Sequence, residues 1–303
     1  MAGRTGNSER ARAGGNEHED RTYVVTGADS GIGAVLADQL AAAGASVIRC
    51  GVGPGVDVQA DLTTVEGRRA LVRQAVALAD SGIDGIALVA GIGEPKPATL
   101  RLNYFGTLAL LGLFRPELAG RPNPRAVVVS SASSLSAGDA ELVDMCLRGD
   151  EAAAARIAER LVRSGRGPVI YRSTKIALNR WLRRNAGSSD WAGAGIPLNA
   201  VAPGIVDTST ARETMLSDPA RARVLADALP QPLGMPGPVE AVTGAIGWLL
   251  SPSASFVTGQ VLFVDGGAEV SLRGESPYRD GVRYGPMRMG RMVFWTLWGR
   301  LRR

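Results

Sequence analysis

The chain has 303 residues, 45% of them apolar, which is enough apolar material for a sizeable core in one large domain or two small ones. Its one histidine, His18, lies in a polar N-terminal stretch, so a Ser-His-Asp triad and a Cys/His zinc site are excluded and proton transfer falls to Tyr, Lys, Asp, Glu or Cys. The formal net charge is +5, but residues 273–303 hold eight arginines and two acids, net +6, so the rest of the chain is net −1 and is no basic body built for nucleic acid.

Residues 1–20 are polar and Gly-rich with no apolar run, which predicts disorder and excludes a secretory signal. Two cysteines, Cys50 and Cys146, make no disulfide framework, and no stretch is long and apolar enough to span a membrane; a cytoplasmic protein is expected. "TYVVTG" (22–27) reads as a strand and "IGAVLADQLAAAG" as a helix stopping at Gly44. "SVIRC" is a second strand, and "TTVEGRRALVRQAVALAD" a helix capped by Thr63 or Thr64. "GIALVAG" is a strand, "TLRLNYFGTLALLGLF" a buried helix and "RAVVVSS" a strand buried on both faces. Residues 139–166 read as one or two amphipathic helices whose Leu142, Val143, Met145, Leu147, Ile157 and Leu161 need burial, at a subunit interface or as a wall over a substrate mouth. Pro168 opens a helix running to about Asn185, and "IPLNAVAPG" and "QVLFVDGG" supply two late strands. Strands alternating with helices, and strands that are continuously apolar, predict an α/β parallel sheet covered on both faces, one domain over 21–270.

Two stretches suggest chemistry. In "TGADSGIG", Gly27, Gly31 and Gly33 fall at the first strand-to-helix turn, where missing side chains let backbone amides approach a pyrophosphate at a helix N-terminus; an ordinary tight turn is the alternative. In "YRSTK", Tyr171 and Lys175 share one helix face. Only Lys96 and Lys175 among the 34 basic residues are lysine. A compact ammonium beside a titrating group is not replaced by arginine's rigid fork, so the pair is either an active site or a chance escape from the bias toward arginine.

"TGADSGIG", "VVVSSASS", "YRSTK", "LNAVAPGIVDT" and "VTGQVLFVDGG", in this order, resemble the short-chain dehydrogenase/reductase family over nearly all of 21–267. Within it, "ADLTT", "NYFGT", "LNAVAPG" and the long segment before the tyrosine are similar to bacterial 3α-hydroxysteroid dehydrogenase/carbonyl reductases. The resemblance implies a Rossmann-type doubly wound parallel sheet and hydride transfer between a nicotinamide cofactor and a secondary alcohol or ketone. It implies Tyr171 as general acid/base and Lys175 as the charge that lowers the phenol's pKa, with Tyr171 and Lys175 both meeting the nicotinamide ribose. Ser131, rather than Ser130, would hold the substrate oxygen, and Asn103 would support a water and proton relay. Ser133 and Ser134 are read as turn residues. Gly27, Ser30, Gly31, Ile32 and Gly33 would lie along the pyrophosphate, with Asp61 and Leu62 at the adenine. Ala90 and Gly91 follow Val89, which replaces the family's asparagine; Pro203, Gly204, Ile205 and Thr208 would meet the carboxamide. No metal is implied.

NAD-dependent relatives carry an acid just after the second strand. Val52 stands there, Asp57 lies further on, and neither Arg49 nor Ser30 makes an NADP site, so overall resemblance favours NAD over NADP. Met215, Leu216, Val224, Leu225 and Leu229, in the segment matching the family's mobile substrate loop, suggest an apolar steroid-, terpenoid- or polyketide-like ring. A nucleotide-sensing regulator or a scaffold on the same fold are the alternatives. The expected assembly is a homodimer or homotetramer. In the basic aromatic extension, 271–303, Phe294, Leu297, Trp298 and Leu301 form one helical face. Packing on the body or a neighbouring subunit is favoured for it over an anionic membrane surface.

Overall fold

Tyr23, Val24 and Val25 follow one another along a strand, so their side chains alternate between its two faces, yet all three are fully buried. A strand dry on both faces must lie inside a sheet covered by helices on each side. The computed structural model describes residues 16–301. In chain order its elements are β1 (Thr22–Thr26), α1 (Gly31–Ala42), β2 (Ser46–Gly51), β3 (Val58–Gln59), α2 (Val65–Leu78), β4 (Gly85–Leu88), α3 (Pro97–Leu100), α4 (Thr107–Leu118), β5 (Arg125–Val129), α5 (Ala140–Arg148), α6 (Glu151–Arg163), α7 (Val169–Asn185), β6 (Leu198–Pro203), α8 (Ser209–Ala211), α9 (Pro219–Ala228), α10 (Val239–Leu250), β7 (Val261–Val264), α11 (Ala268–Arg273) and α12 (Pro286–Leu301).

Among the described residues the strands form one parallel sheet in the order β3-β2-β1-β4-β5-β6-β7. Val24, Ile86 and Val128 enter the core shared with Leu71, Leu110 and Leu178 of α2, α4 and α7; Tyr23, Val25, Ala87 and Val127 enter the opposite core with Leu36 and Ile246 of α1 and α10. The strand order reverses between β1 and β4, which opens a crevice beyond their C-terminal ends.

Of the N-terminal segment expected to be disordered, residues 1–15 lie outside the described residues. Residues 16–20 form a turn against β1, where His18 Nδ1 is 2.9 Å from the Tyr23 hydroxyl. The buried helix expected over 99–114 is interrupted: a π-helical turn, Arg101–Gly106, joins α3 to α4 and carries Asn103. Such turns widen the helix locally and often mark functional sites.

Residues 139–166 form two helices, capped by Asp139 and Asp150, with Gly149 in the left-handed conformation between them (φ 78°). Leu142, Val143, Ile157 and Leu161 are buried in the protomer's own core with α7, so neither an interface nor a wall over the mouth is needed to cover them. Met145 and Leu147 are partly buried against the same core. Arg68 locks the insertion in place. Its buried guanidinium donates to Leu62 O (2.8 Å) and Arg101 O (2.9 Å) and pairs with Glu151 (3.2 Å).

The extension is helical, as its pattern predicts, but α12 does not pack on the body: Phe294, Trp295 and Leu297 are each more than half exposed. Phe294, Trp295 and Trp298 contact one another instead. No described helix is long and apolar enough to cross a membrane.

Candidate active site and cofactor cleft

The first turn is shaped by close backbone approach. Gly27 and Gly31 have φ of +67° and +53°, conformations that disfavour side chains. A Cβ on Gly33 would lie 2.1 Å from Gly27 O, and one on Gly27 would lie 3.0 Å from Ala90 Cα. Thr26 Oγ1 accepts from Val89 N (3.0 Å) and Ala90 N (3.1 Å), binding the end of β4 to the turn. Ser30 starts α1 without a side-chain cap, which leaves first-turn N–H groups for an anion.

Beside this turn lies a cleft of about 410 Å³. Its walls include Gly27, Ser30, Gly31, Ile32 and Gly33 on one side, Asp61 and Leu62 on another, and Ala90, Gly91 and Thr208 beyond. Pro203, Gly204 and Ile205 are not among its lining residues; they sit at the end of β6, where Gly204 N donates to Val264 O (3.0 Å) and Ile205 N to Gln231 Oε1 (2.6 Å). Asp61 accepts from Thr63 Oγ1 (2.7 Å) and Thr63 N (2.9 Å), and these bonds hold its carboxyl below the ordinary value. The glycine cradle, the uncapped helix start and the long cleft fit a dinucleotide.

The residues expected to do chemistry come from three elements. Tyr171 and Lys175 lie one turn apart on α7, and Ser131 follows β5 as the cap of a short 3₁₀ turn, its Oγ accepting from Ser133 N (3.1 Å). Lys175 is 3% exposed; its Nζ donates to Val129 O (2.8 Å) and sits 5.6 Å from the Tyr171 ring centroid. A Cβ on Gly91 would lie 3.2 Å from Asn103 Oδ1 and 3.8 Å from Lys175 Nζ, so both side chains approach the backbone just past β4. Burial pushes the Tyr171 phenol above its ordinary value, and a hydrogen bond with Ser131 acts the other way. Burial pushes Lys175 down to about 8. Lys175 Nζ is bonded to the Val129 carbonyl, and at Tyr171 burial outweighs the opposing hydrogen bond.

The Asn103 amide is spent on Ile92, donating to the carbonyl (2.8 Å) and accepting from the N–H (3.0 Å), which fixes the loop after β4.

Three contributors were not singled out from sequence. Asn179 accepts from Ser130 Oγ (2.6 Å) and donates to Ser134 Oγ (3.0 Å), so it ties α7 to the serine segment; Ser134 is a cross-element partner, not only a turn residue. Its spacing of four from Lys175 on one helix was the available signal. Gln231 holds Ile205 and donates to Gly234 O (3.2 Å). Asp29 Oδ2, from within the glycine-rich turn, accepts from Gly53 N (2.8 Å) and Val52 N (3.3 Å) just past β2.

A doubly wound sheet with a dinucleotide cradle at its switch point, and a buried lysine one turn from a tyrosine beside a serine, define a nicotinamide-dependent oxidoreductase. The chain belongs to the short-chain dehydrogenase/reductase family. It is 35% identical to a 3-alpha-hydroxysteroid dehydrogenase/carbonyl reductase of Comamonas testosteroni, over 82% of this chain and 97% of that protein. It is 32% identical to a cis-4-hydroxycyclohexanecarboxylate dehydrogenase of Sinomonas cyclohexanicum, over 84% and 98%. The crystal structure of the 3-alpha-hydroxysteroid dehydrogenase from Pseudomonas sp. B-0831 complexed with NADH superposes with a TM-score of 0.76 at 37% identity, covering 84% of this chain and 99% of that one. Residues 149–269 also match the family model described as enoyl-(acyl carrier protein) reductase.

Proposed function

We propose that this enzyme interconverts a secondary alcohol and a ketone on an apolar ring in the cytoplasm, with Tyr171 carrying the proton. The observation that supports this reading most is Lys175, an ammonium held 3% exposed on one carbonyl bond beside the tyrosine. Burying such a charge is costly, and a purely structural residue at this place would be apolar. When bound, the nicotinamide ring supplies or accepts the hydride. Tyr171 Oη gives its proton to the carbonyl oxygen in reduction and takes the alcohol's proton in oxidation. Ser131 Oγ holds that oxygen, and the Lys175 ammonium offsets the phenolate's charge as it forms. Asn103 acts as a positioning residue through Ile92.

The ring is supported by the steroid and cyclohexane substrates in the names of two relatives, and by Val224, Leu225 and Leu229 on and just after α9, a helix without buried residues. The test is a panel of ring and open-chain ketones and alcohols followed at the nicotinamide absorbance, after a titration that establishes cofactor binding. Turnover concentrated on ring substrates is expected. Cofactor bound without turnover on any of them would replace the enzyme reading with a nucleotide sensor.

We further infer that α12 meets a neighbouring subunit in a homodimer or homotetramer, since its Phe294 and Trp295 side chains are more than half exposed in the protomer. Deleting 287–303 is expected to change the oligomeric state seen by light scattering and to leave the chemistry intact. Salt-sensitive binding of the full-length chain to anionic vesicles, lost in the deletion, would place the helix on a membrane surface instead.

A further inference from the structure

The cofactor cleft lacks an acid at the end of β2, where Gly51 and Val52 stand. The candidates nearby in sequence are used elsewhere. Asp57 Oδ2 accepts from Arg49 N (2.7 Å), and the Arg49 guanidinium pairs with Asp38 (2.8 Å). Val52 is 65% exposed and carries no polar atom on its side chain. A carboxylate reaches the place nonetheless, from a different element. A Cβ built on Gly51 would lie 2.7 Å from both Cγ and Oδ1 of Asp29. Glycine at 51 therefore leaves the space that the Asp29 carboxylate occupies, and a side chain on the strand end would have to displace it. Asp29 Oδ2 is anchored by the N–H groups of Val52 and Gly53. Among the described residues no donor reaches Oδ1, and Asp29 lines the cleft.

We propose that Asp29 is the acceptor for the adenosine 2′-hydroxyl and sets a preference for NAD(H) over NADP(H). The proposal rests on the reading of this cleft as the dinucleotide site. A carboxylate there accepts a hydrogen bond from a ribose hydroxyl and repels a 2′-phosphate, and that pair of effects separates the two cofactors. The two backbone bonds fix the carboxylate before any ligand arrives, so little side-chain entropy is lost on binding. Arg49, the basic residue of β2, is paired with Asp38 rather than free to offset a 2′-phosphate.

The test is titration of the full-length protein with NADH and with NADPH, read by nicotinamide fluorescence, in wild type, Asp29→Asn, and the double variant Asp29→Ala with Gly51→Asp. Thermal denaturation of each establishes that it is folded. Wild type is expected to bind NADH more tightly. Asp29→Asn keeps an acceptor oxygen for the Val52–Gly53 turn and removes the charge; the NADH-over-NADPH ratio is expected to fall about tenfold or more. The double variant moves the carboxylate to the strand end, into the space Asp29 vacates, and is expected to restore the preference. A wild type that prefers NADPH, or an Asn variant that weakens both cofactors equally, overturns the proposal, the latter leaving Asp29 as a brace for the turn. Those results leave the dinucleotide site standing. A wild type that binds neither cofactor overturns the site itself, and the proposal with it.

Discussion

Tyr171→Phe is expected to lower turnover at least about 10²–10⁴-fold, the range for a positioned acid–base group, while nicotinamide cofactor affinity stays within a few-fold. The substitution keeps the ring, and with it the surface that Lys175 Nζ approaches at 5.6 Å from the centroid. It removes only the hydroxyl that Ser131 hydrogen-bonds. The fold therefore has no reason to change, and the loss should fall on kcat with little change in KM. Steady-state kinetics beside a cofactor titration read both quantities. A variant that keeps more than half the wild-type rate would remove Tyr171 from the mechanism.

Lys175→Met is expected to stop turnover and to stabilise the protein. The folded site lowers the lysine's pKa from 10.5 to about 8. Between those values the unfolded chain holds a proton that the folded chain has released, so stability rises with pH across that window. Below about pH 8 both states are protonated and the folded state carries the full penalty, about 3 kcal/mol at most. Methionine removes the charge and keeps the apolar stem, but it leaves Val129 O without its 2.8 Å donor. The net gain at pH 7 should be about 0–2 kcal/mol, and it should shrink as the pH rises from about 8 through 10.5. Lys175→Arg keeps the buried charge in a larger, planar head and should gain no stability and recover no activity. Urea denaturation at the two pH values decides this. A methionine variant less stable than wild type at pH 7 would mean that the ammonium is well paid for in the fold, and that its burial is no sign of function.

The parts of the molecule legible in the sequence are those fixed by neighbours along the chain. The continuous apolar run Tyr23-Val24-Val25, the glycine spacing from Gly27 to Gly33, and the four-residue step from Tyr171 to Lys175 each depend on local backbone geometry, which residue type constrains. Thr64 caps α2, one of the two threonines its sequence offered, because its side chain reaches Gly67 N three residues on. From the same local signals came the α/β class and the helix in the C-terminal extension.

What the tertiary structure decided lies between residues distant in sequence. Asn103 could be placed on a helix but not on Ile92, because that pairing joins a π turn to a loop eleven residues earlier and no helical or strand period encodes it. The insertion's apolar positions demanded burial, and only three-dimensional packing assigned them to the protomer's own α7. Lys175 bonds a carbonyl 46 residues earlier, across the sheet-to-helix layer, and burial among elements distant in sequence sets the direction in which Tyr171 is shifted. The carboxylate sought after β2 comes from Asp29, 24 residues before the amide at Gly53 that it binds. Residue type and spacing limit what each segment can form; which segments then touch is set by the handedness of the crossovers and by close packing of the layers, and no local period encodes either.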